Sequence, residues 1–333
     1  IGISVSIVSY MILMLAIGIW SSKQNASTDD FYLGGRRLGP IVTAMSAEAS
    51  DMSSWLLMGL PGIAYISGLA DASWTAIGLA LGTYLNWLLV AKRLRRYTIK
   101  ANNSITIPSF FANRFRDKSR ILLAVSAIWI LIFFIPYTAS GFAACGKLFH
   151  TLFGVNYILA MLVSAAVIIL YTMLGGFLAA STTDLVQSIV MTVALVIVVL
   201  FGINAAGGLD RVLENARGIA GYLSLRQMGN SNAPQTATPY TFMQAFANLA
   251  WGLGYFGMPH ILLRFMAIGD EKKIKVSRRI ASVWVLISMA VAIFIGIVAN
   301  AMSKAGAIAV AKTSADAENS IIRIAHLLSD NGL

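Results

Sequence analysis

Two short stretches concentrate the groups in this chain that could do chemistry. The first runs Ser46-Ala-Glu-Ala-Ser-Asp-Met-Ser-Ser-Trp55 and continues to Gly59-Leu-Pro-Gly62; the second is Trp251-Gly-Leu-Gly-Tyr-Phe-Gly-Met-Pro-His260. Each sits inside an otherwise apolar run. An unpaired Asp51 at the centre of hydrocarbon would cost roughly 3 kcal/mol on insertion scales, so it requires a cation, a proton or a helix end. It could cap a second helical segment starting at Met52, or it could help bind a coupling ion beside the carbonyls that a broken helix exposes. The two roles are compatible. Hard cations take oxygen ligands, and the local oxygens are the Ala49 and Met52 carbonyls and the Ser53 hydroxyl. Ser46, Ser50 and Ser54 also fit close packing between helices through small residues. Glu48, three residues before Asp51, falls on a neighbouring helix face, where an interface-facing or protonated acid is expected.

In the second stretch Trp251, Tyr255 and Pro259 recur every four residues, which would stack them on one helix face. With Gly252, Gly254 and Gly257 between them, these side chains could line a cavity suited to a compact aliphatic ligand. Ordinary aromatic packing or an interfacial belt is the competing reading. Pro136-Tyr137 combines a helix kink with a polar tip. Asp184, after Ser181-Thr-Thr, fits an N-cap. His150, His260 and His326 are too scattered for a metal cluster, and Cys145 has no partner for an intrachain disulfide. No Ser/His/Asp grouping, phosphate loop or HExxH pattern occurs. Without a nucleotide motif, transport driven by an ion gradient is favoured over a pump.

The elements that must position these residues are membrane helices. With 58% of its 333 residues hydrophobic and 12% charged, the chain is excluded from the soluble globular class, in which about a quarter of residues are charged. Apolar runs long enough to cross about 30 Å of hydrocarbon predict eight spans, at 1–20, 41–67, 71–91, 121–149, 157–177, 184–206, 240–266 and 280–302. The first lacks a basic leader and a cleavage site, so it reads as a retained helix. Of the 25 Lys and Arg residues, 18 fall within 23–37, 92–120 and 264–279, and 7 in the alternate segments. That asymmetry puts the first set in the cytoplasm and the N-terminus outside. It also gives the +11 net charge a topological use, so no nucleic-acid partner is implied.

The basic connector 92–120 contains an amphipathic stretch, Pro108 to Phe115, able to lie on a membrane surface. The connector 207–239, with Pro234 and Pro239 among Gly, Asn, Gln, Ser and Thr, reads as an extended outer loop. The interrupted spans 2 and 7 lie five helices apart and run in opposite directions, the pattern of an inverted repeat with its substrate site near the midplane. The expected organisation is an extra N-terminal helix at 1–21, a first five-helix repeat at 41–206, the outer loop at 207–239 and the start of a second repeat at 240–333. A second repeat needs five spans, and only two fit. Together with Ile1 lying inside an apolar run, this points to a fragment that could not transport alone.

The strings Tyr32-Leu-Gly-Gly-Arg-Arg-Leu-Gly-Pro40, Ala49-Ser-Asp-Met-Ser-Ser-Trp-Leu-Leu-Met-Gly-Leu-Pro-Gly62, Ile77-Gly-Leu through Asn86-Trp87, Asp117-Lys-Ser-Arg120, Leu174-Gly-Gly-Phe-Leu-Ala179 with Thr183-Asp184, and Trp251-Gly-Leu-Gly-Tyr-Phe-Gly-Met-Pro-His-Ile-Leu262 resemble the sodium/solute symporter family. The resemblance is strongest to its proline-transporting branch and runs from the first span to Arg279. It implies an all-α, polytopic LeuT-like fold of two inverted five-helix repeats behind an extra helix. It also implies sodium-coupled symport of L-proline by alternating access. Asp51 and Ser53 match residues that handle sodium and proline, and Ala49 and Met52 match carbonyl donors to the sodium. Trp251, Tyr255 and Pro259 match the proline pocket, with Tyr137 facing it, and Asp184 matches an aspartate linked to sodium dependence.

Ser54 stands where that branch usually has glycine, placing a hydroxymethyl group beside ion and substrate. The family completes its sodium site with hydroxyls on a later span, so a partial site is expected here. The leading expectation is a sodium/proline symporter in the plasma (inner) membrane, with sodium as the co-transported ion and no protein partner implied. Alternatives are a sodium symporter for another small carboxylate or zwitterion, a channel or membrane sensor subunit, and an intramembrane enzyme. A channel would need a continuous polar pore and an enzyme a convergent catalytic set.

Overall fold

The computed structural model describes residues 2–330. Helices follow the apolar runs: α1 (Gly2–Ser22), α2 (Thr28–Leu33), α3 (Pro40–Ser54), α4 (Leu60–Ser67), α5 (Leu69–Asn86), α6 (Lys92–Lys100), α7 (Ile107–Arg114), α8 (Ile121–Phe153) and α9 (Tyr157–Ala205). Then come α10 (Leu209–Arg217), the strands β1 (Gln227–Gly229) and β2 (Ala237–Pro239), α11 (Phe242–Ala250), α12 (Pro259–Ala267), α13 (Ile274–Lys304), α14 (Ser314–Ala317) and α15 (Ser320–Asp330). Local chemistry explains several ends. The Ser27 hydroxyl accepts from the Asp30 amide to start α2, and Gly34, at φ 58°, closes it in the left-handed conformation. Thr106 with Ser109, and Thr241 with Gln244, form reciprocal caps on α7 and α11.

Five helices among the described residues are long and apolar enough to cross a membrane. They reconcile with eight predicted spans through three interruptions. Spans 5 and 6 merge into the 49-residue α9, broken at Gly176 (φ 60°, ψ −151°). Span 2 is divided between α3 and α4, and span 7 between α11 and α12, so neither is one continuous helix. Ser53 (φ 42°, ψ −149°) leaves helical geometry within α3, and a π-helical turn, Trp55–Gly59, follows. A 3-10 segment, Trp251–Phe256, separates α11 from α12, and Pro259 opens α12 in the first-turn position that proline favours.

The chain divides into two compact units, one of residues 1–51, 84–188 and 255–281, the other of residues 52–83, 189–254 and 282–333. In the first, Leu38 bridges to Ile268 in parallel fashion, and the Arg36 guanidinium donates to the carbonyls of Met266 and Ser104, both at 2.8 Å. In the second, an apolar core gathers Leu195, Val198, Val212, Ile219, Ile295 and Val298 around the buried Tyr65 and Tyr222. Tyr222 donates to the Tyr65 carbonyl at 2.7 Å, and the Tyr65 and Ser303 hydroxyls pair at 2.7 Å. The connector 207–239 is not the extended loop expected from its composition. Val212 and Ala216 of α10 are fully buried, and β1 pairs antiparallel with β2 around Gly229-Asn-Ser-Asn232, so apolar burial and strand pairing organise it.

Candidate functional site

In the first unit a buried polar cluster joins α3, α9 and α12. The Asp184 carboxylate, on the second half of α9, accepts from the Arg264 guanidinium at 2.7 Å, from the Ser46 hydroxyl at 2.6 Å and from the Ser50 hydroxyl at 3.0 Å. Arg264 also donates to the two serine oxygens, at 2.8 Å and 2.6 Å, and to the His260 carbonyl at 2.6 Å. Side-chain exposure is only 8% for Arg264 and 15% for Asp184, so the two charges balance each other in a poorly solvated setting. Asp184 therefore does not cap a helix. The break falls at Gly176, leaving Asp184 two turns inside the following segment with its carboxylate turned to Arg264.

The serines, which composition reads as small-residue packing, are hydrogen-bonding partners of this pair. Arg264, which sequence reasoning assigned only to topology, is its cation. The available signal was an arginine seven residues beyond Gly257 on an interrupted span, where a charge needs a partner.

One turn along α3, Asp51 approaches the His260 ring, with Oδ1 4.0 Å from Nε2, and the Tyr255 side chain is its hydrogen-bond partner. His260 stacks on Tyr137 at 5.4 Å and an interplanar angle of 22°, with Phe134 at 5.3 Å. The Tyr137 hydroxyl donates to the Ser50 carbonyl at 2.8 Å. Ser50 precedes Ser53, where α3 leaves helical geometry, by three residues. Pro136 lies inside α8 without leaving helical geometry, and the Tyr137 hydroxyl is the polar tip that reaches the Ser50 carbonyl. Glu48 accepts from the Trp87 indole at 3.0 Å, and Trp87 lies 4.4 Å from Phe265. The Tyr255 carbonyl receives the Asn86 amide at 2.8 Å. Asp51 is not the residue that breaks the helix, because the non-helical dihedrals belong to Ser53.

In the second unit Met52 is buried while Ser53 is exposed. A serine at φ 42° is held in a region that costs of order 1–3 kcal/mol and that accumulates at functional sites. Trp55 and Trp251 lie 5.1 Å apart at a 57° tilt. The segment bearing Trp251 is held against α5 through glycines. A Cβ on Gly252 would strike the Gly78 carbonyl, and one on Gly82 would strike the Gly252 carbonyl. The expected stacking of Trp251, Tyr255 and Pro259 on one α-helical face does not form. The backbone there is a 3-10 turn followed by a new helix start, and three residues per turn rotates position i+4 off the face of i. Trp251 is 50% exposed and Tyr255 4%.

Among the described residues no three His, Cys, Asp or Glu side chains converge. The stretch of α3 in the first unit ends at the Asp51 carboxylate, and the second unit begins with Met52 and the exposed Ser53; oxygen groups of these kinds are what hard cations take.

A family model described as the sodium:solute symporter family matches residues 31–333. The chain is 43% identical over 310 residues to the osmoregulated proline transporter OpuE of Bacillus subtilis, covering 93% of this chain and 61% of the relative. It is 45% identical over 287 residues to the sodium/proline symporter of Escherichia coli, covering 86% of this chain and 55% of the relative. It thus spans little more than half the length of these curated relatives. A solved structure titled as the substrate-bound, outward-open state of a Na+-coupled sialic acid symporter superposes with a TM-score of 0.78 at 18% identity, over 96% of this chain and 67% of that one. This likeness shows the fold, and the polytopic, LeuT-like architecture expected from the sequence is the one found.

Proposed function

The chain belongs to the sodium:solute symporter family, and from that premise we propose that it carries the ion- and substrate-handling helices of a sodium-coupled proline symporter. The observation that carries this reading is the break in α3. At Ser53 the backbone leaves helical geometry inside an apolar span, and the residue is exposed there. The sequence around it belongs to a chain 43% and 45% identical to proteins named for proline transport.

In this reading sodium is held at the break by the carbonyls of Ala49 and Met52, with the Ser53 hydroxyl and the Asp51 carboxylate completing the part of the site that lies in this chain. Trp251, Tyr255 and Pro259 receive the proline ring, Tyr137 orders the turn before the break through the Ser50 carbonyl, and Ser53 and Ser54 border the substrate. Asp184 couples ion occupancy to α12 through Arg264. Sodium binding favours an outward-open state, proline follows, and rearrangement releases both inside.

The chain is an integral, multi-pass membrane protein. We assign it to the plasma membrane with its N-terminus outside, from the distribution of basic residues. Residues 41–206 form the first repeat and 240–333 open the second.

The test is labelled-proline uptake into membrane vesicles carrying the complete protein, after a sodium jump, against a panel of amino acids. Uptake should follow sodium, and Asp51→Asn should raise the sodium concentration for half-maximal uptake. Sodium-independent proline uptake, or uptake of another zwitterion in preference to proline, would refute the reading.

A further inference from the structure

The inner connector between the third and fourth spans carries an unbalanced surface. Between residues 92 and 120 there are nine Lys and Arg residues against one acid, Asp117. Two of the nine are engaged elsewhere: Arg95 is buried and donates to the Ile268 carbonyl at 2.6 Å, and Arg96 pairs with Glu271 at 2.8 Å. Arg114 lies 5.0 Å over the Tyr97 ring. Among the described residues the remaining six, Lys92, Arg93, Lys100, Arg116, Lys118 and Arg120, are exposed and in no ion pair within 4.0 Å, Lys92 acting on Glu271 only from a greater distance. Exposed apolar groups interleave with them: Ile99 at 48%, Tyr97 at 40%, Phe111 at 38% and Phe115 at 66%.

Helix length fixes where this surface sits. The continuous helical run Leu69–Lys100 has 32 residues, about 48 Å at 1.5 Å per residue. The hydrocarbon core takes about 30 Å of that, so the end bearing Lys92 to Lys100 projects through the headgroup layer. The chain re-enters the bilayer at Ile121, where α8 begins, so the segment between, including α7, stays close to that layer. Exposed cations alternating with aromatic and aliphatic groups at this depth match a surface of anionic headgroups over acyl chains. We propose that residues 92–120 form a binding surface for anionic phospholipid headgroups. A soluble anion would use the cations and leave the aromatic groups without a purpose. The assignment holds whether or not the chain carries proline.

The test titrates the detergent-purified protein with dihexanoyl phosphatidylglycerol and, separately, with dihexanoyl phosphatidylcholine, following binding by thermophoresis. Phosphatidylglycerol should bind tighter, and the preference should weaken between about 0.05 and about 0.5 M salt, over which the Debye length shortens about threefold. Each cation near an anionic lipid surface contributes about fivefold in affinity, so the combined substitution of Lys92→Gln, Arg93→Gln and Lys100→Gln predicts about a hundredfold weaker phosphatidylglycerol binding. A second combination, Arg116→Gln, Lys118→Gln and Arg120→Gln, should act in the same direction, while Arg211→Gln, Arg217→Gln and Arg226→Gln should leave binding unchanged. Equal affinity for the two lipids, wild-type binding by both inner combinations, or displacement of the lipid by an equal concentration of inorganic phosphate would each overturn the proposal.

Discussion

Neutralising Asp184 puts the buried cluster to a quantitative test. At 2.7 Å and an effective dielectric of 20, the attraction between Asp184 and Arg264 is about 6 kcal/mol before the desolvation of both groups is subtracted. Asp184→Asn keeps the shape and leaves the Ser46 and Ser50 hydroxyls an oxygen to donate to, but it strands the Arg264 guanidinium at 8% side-chain exposure. Breaking a buried pair from one side costs about 3–5 kcal/mol, so Asp184→Asn should destabilise the fold by about 3 kcal/mol, and Arg264→Met by a similar amount. The double variant strands no charge and should lose much less than the sum, giving a coupling of at least about 2 kcal/mol. Unfolding of the purified protein in mixed micelles by added sodium dodecyl sulfate, followed by tryptophan fluorescence, reads all four corners of the cycle. If the two single losses added to within about 0.5 kcal/mol in the double variant, the pair would be independent and the reasoning wrong.

Gly82→Ala places a methyl group against the Gly252 backbone; backbone cannot yield as a side chain does, so stability should fall by at least the 1–3 kcal/mol typical of overpacking, read as a shortened half-life of the purified protein on warming. Tyr137→Phe removes the donor to the Ser50 carbonyl and should cost about 1 kcal/mol, while raising the sodium needed for half-maximal uptake; an unchanged sodium requirement would confine the hydroxyl to a packing role. The Asp117 carboxyl is held below the usual carboxylate range, first by the Ser119 hydroxyl and also by the Leu122 and Ser119 amides at the start of α8. A depressed folded value means that its contribution is complete above the unfolded pKa and is lost as pH falls through the folded one. Hydrogen exchange at the Leu122 amide, compared with the chemical exchange rate at each pH, should therefore lose protection only below about pH 4; loss of protection near neutrality would contradict the cap.

Both interrupted spans were legible because their composition contradicts their setting: Ser, Asp, Gly and Pro do not belong in an unbroken helix facing lipid. What the sequence concealed lies in the detail of the backbone. A spacing of four marks a face only where the helix is α, and at Trp251 the chain winds three residues to the turn, so an i, i+4 pattern misplaced Tyr255. Asp184 was read from its neighbours Ser181-Thr-Thr as a cap, since nothing local separates a cap from an interior acid. Its cation is 80 residues away, and only the packing of α9 against α12 joins them. The position of the turn was hidden similarly, because Gly175-Gly176 can end a helix without the polar loop that hydropathy looks for. The hairpin at 227–239 did leave a signal, the Gly229-Asn-Ser-Asn232 run of turn formers, which the overall polarity of the connector obscured.

The glycine crossing of α5 with the Trp251 segment has a mechanical consequence. Where Gly252 meets Gly78 and Gly82, main chain touches main chain with no side chain between, so no rotamer is available to absorb relative movement. Ordinary helix contacts act as soft bearings that roll a few degrees as side chains repack; this one is closer to a weld. The segment bearing Trp251 must then travel as one rigid lever with the part of α5 around Gly78 and Gly82. Natural variation at the three glycines should accordingly behave as variation at a single position, in which a change at any one removes the advantage of keeping the other two.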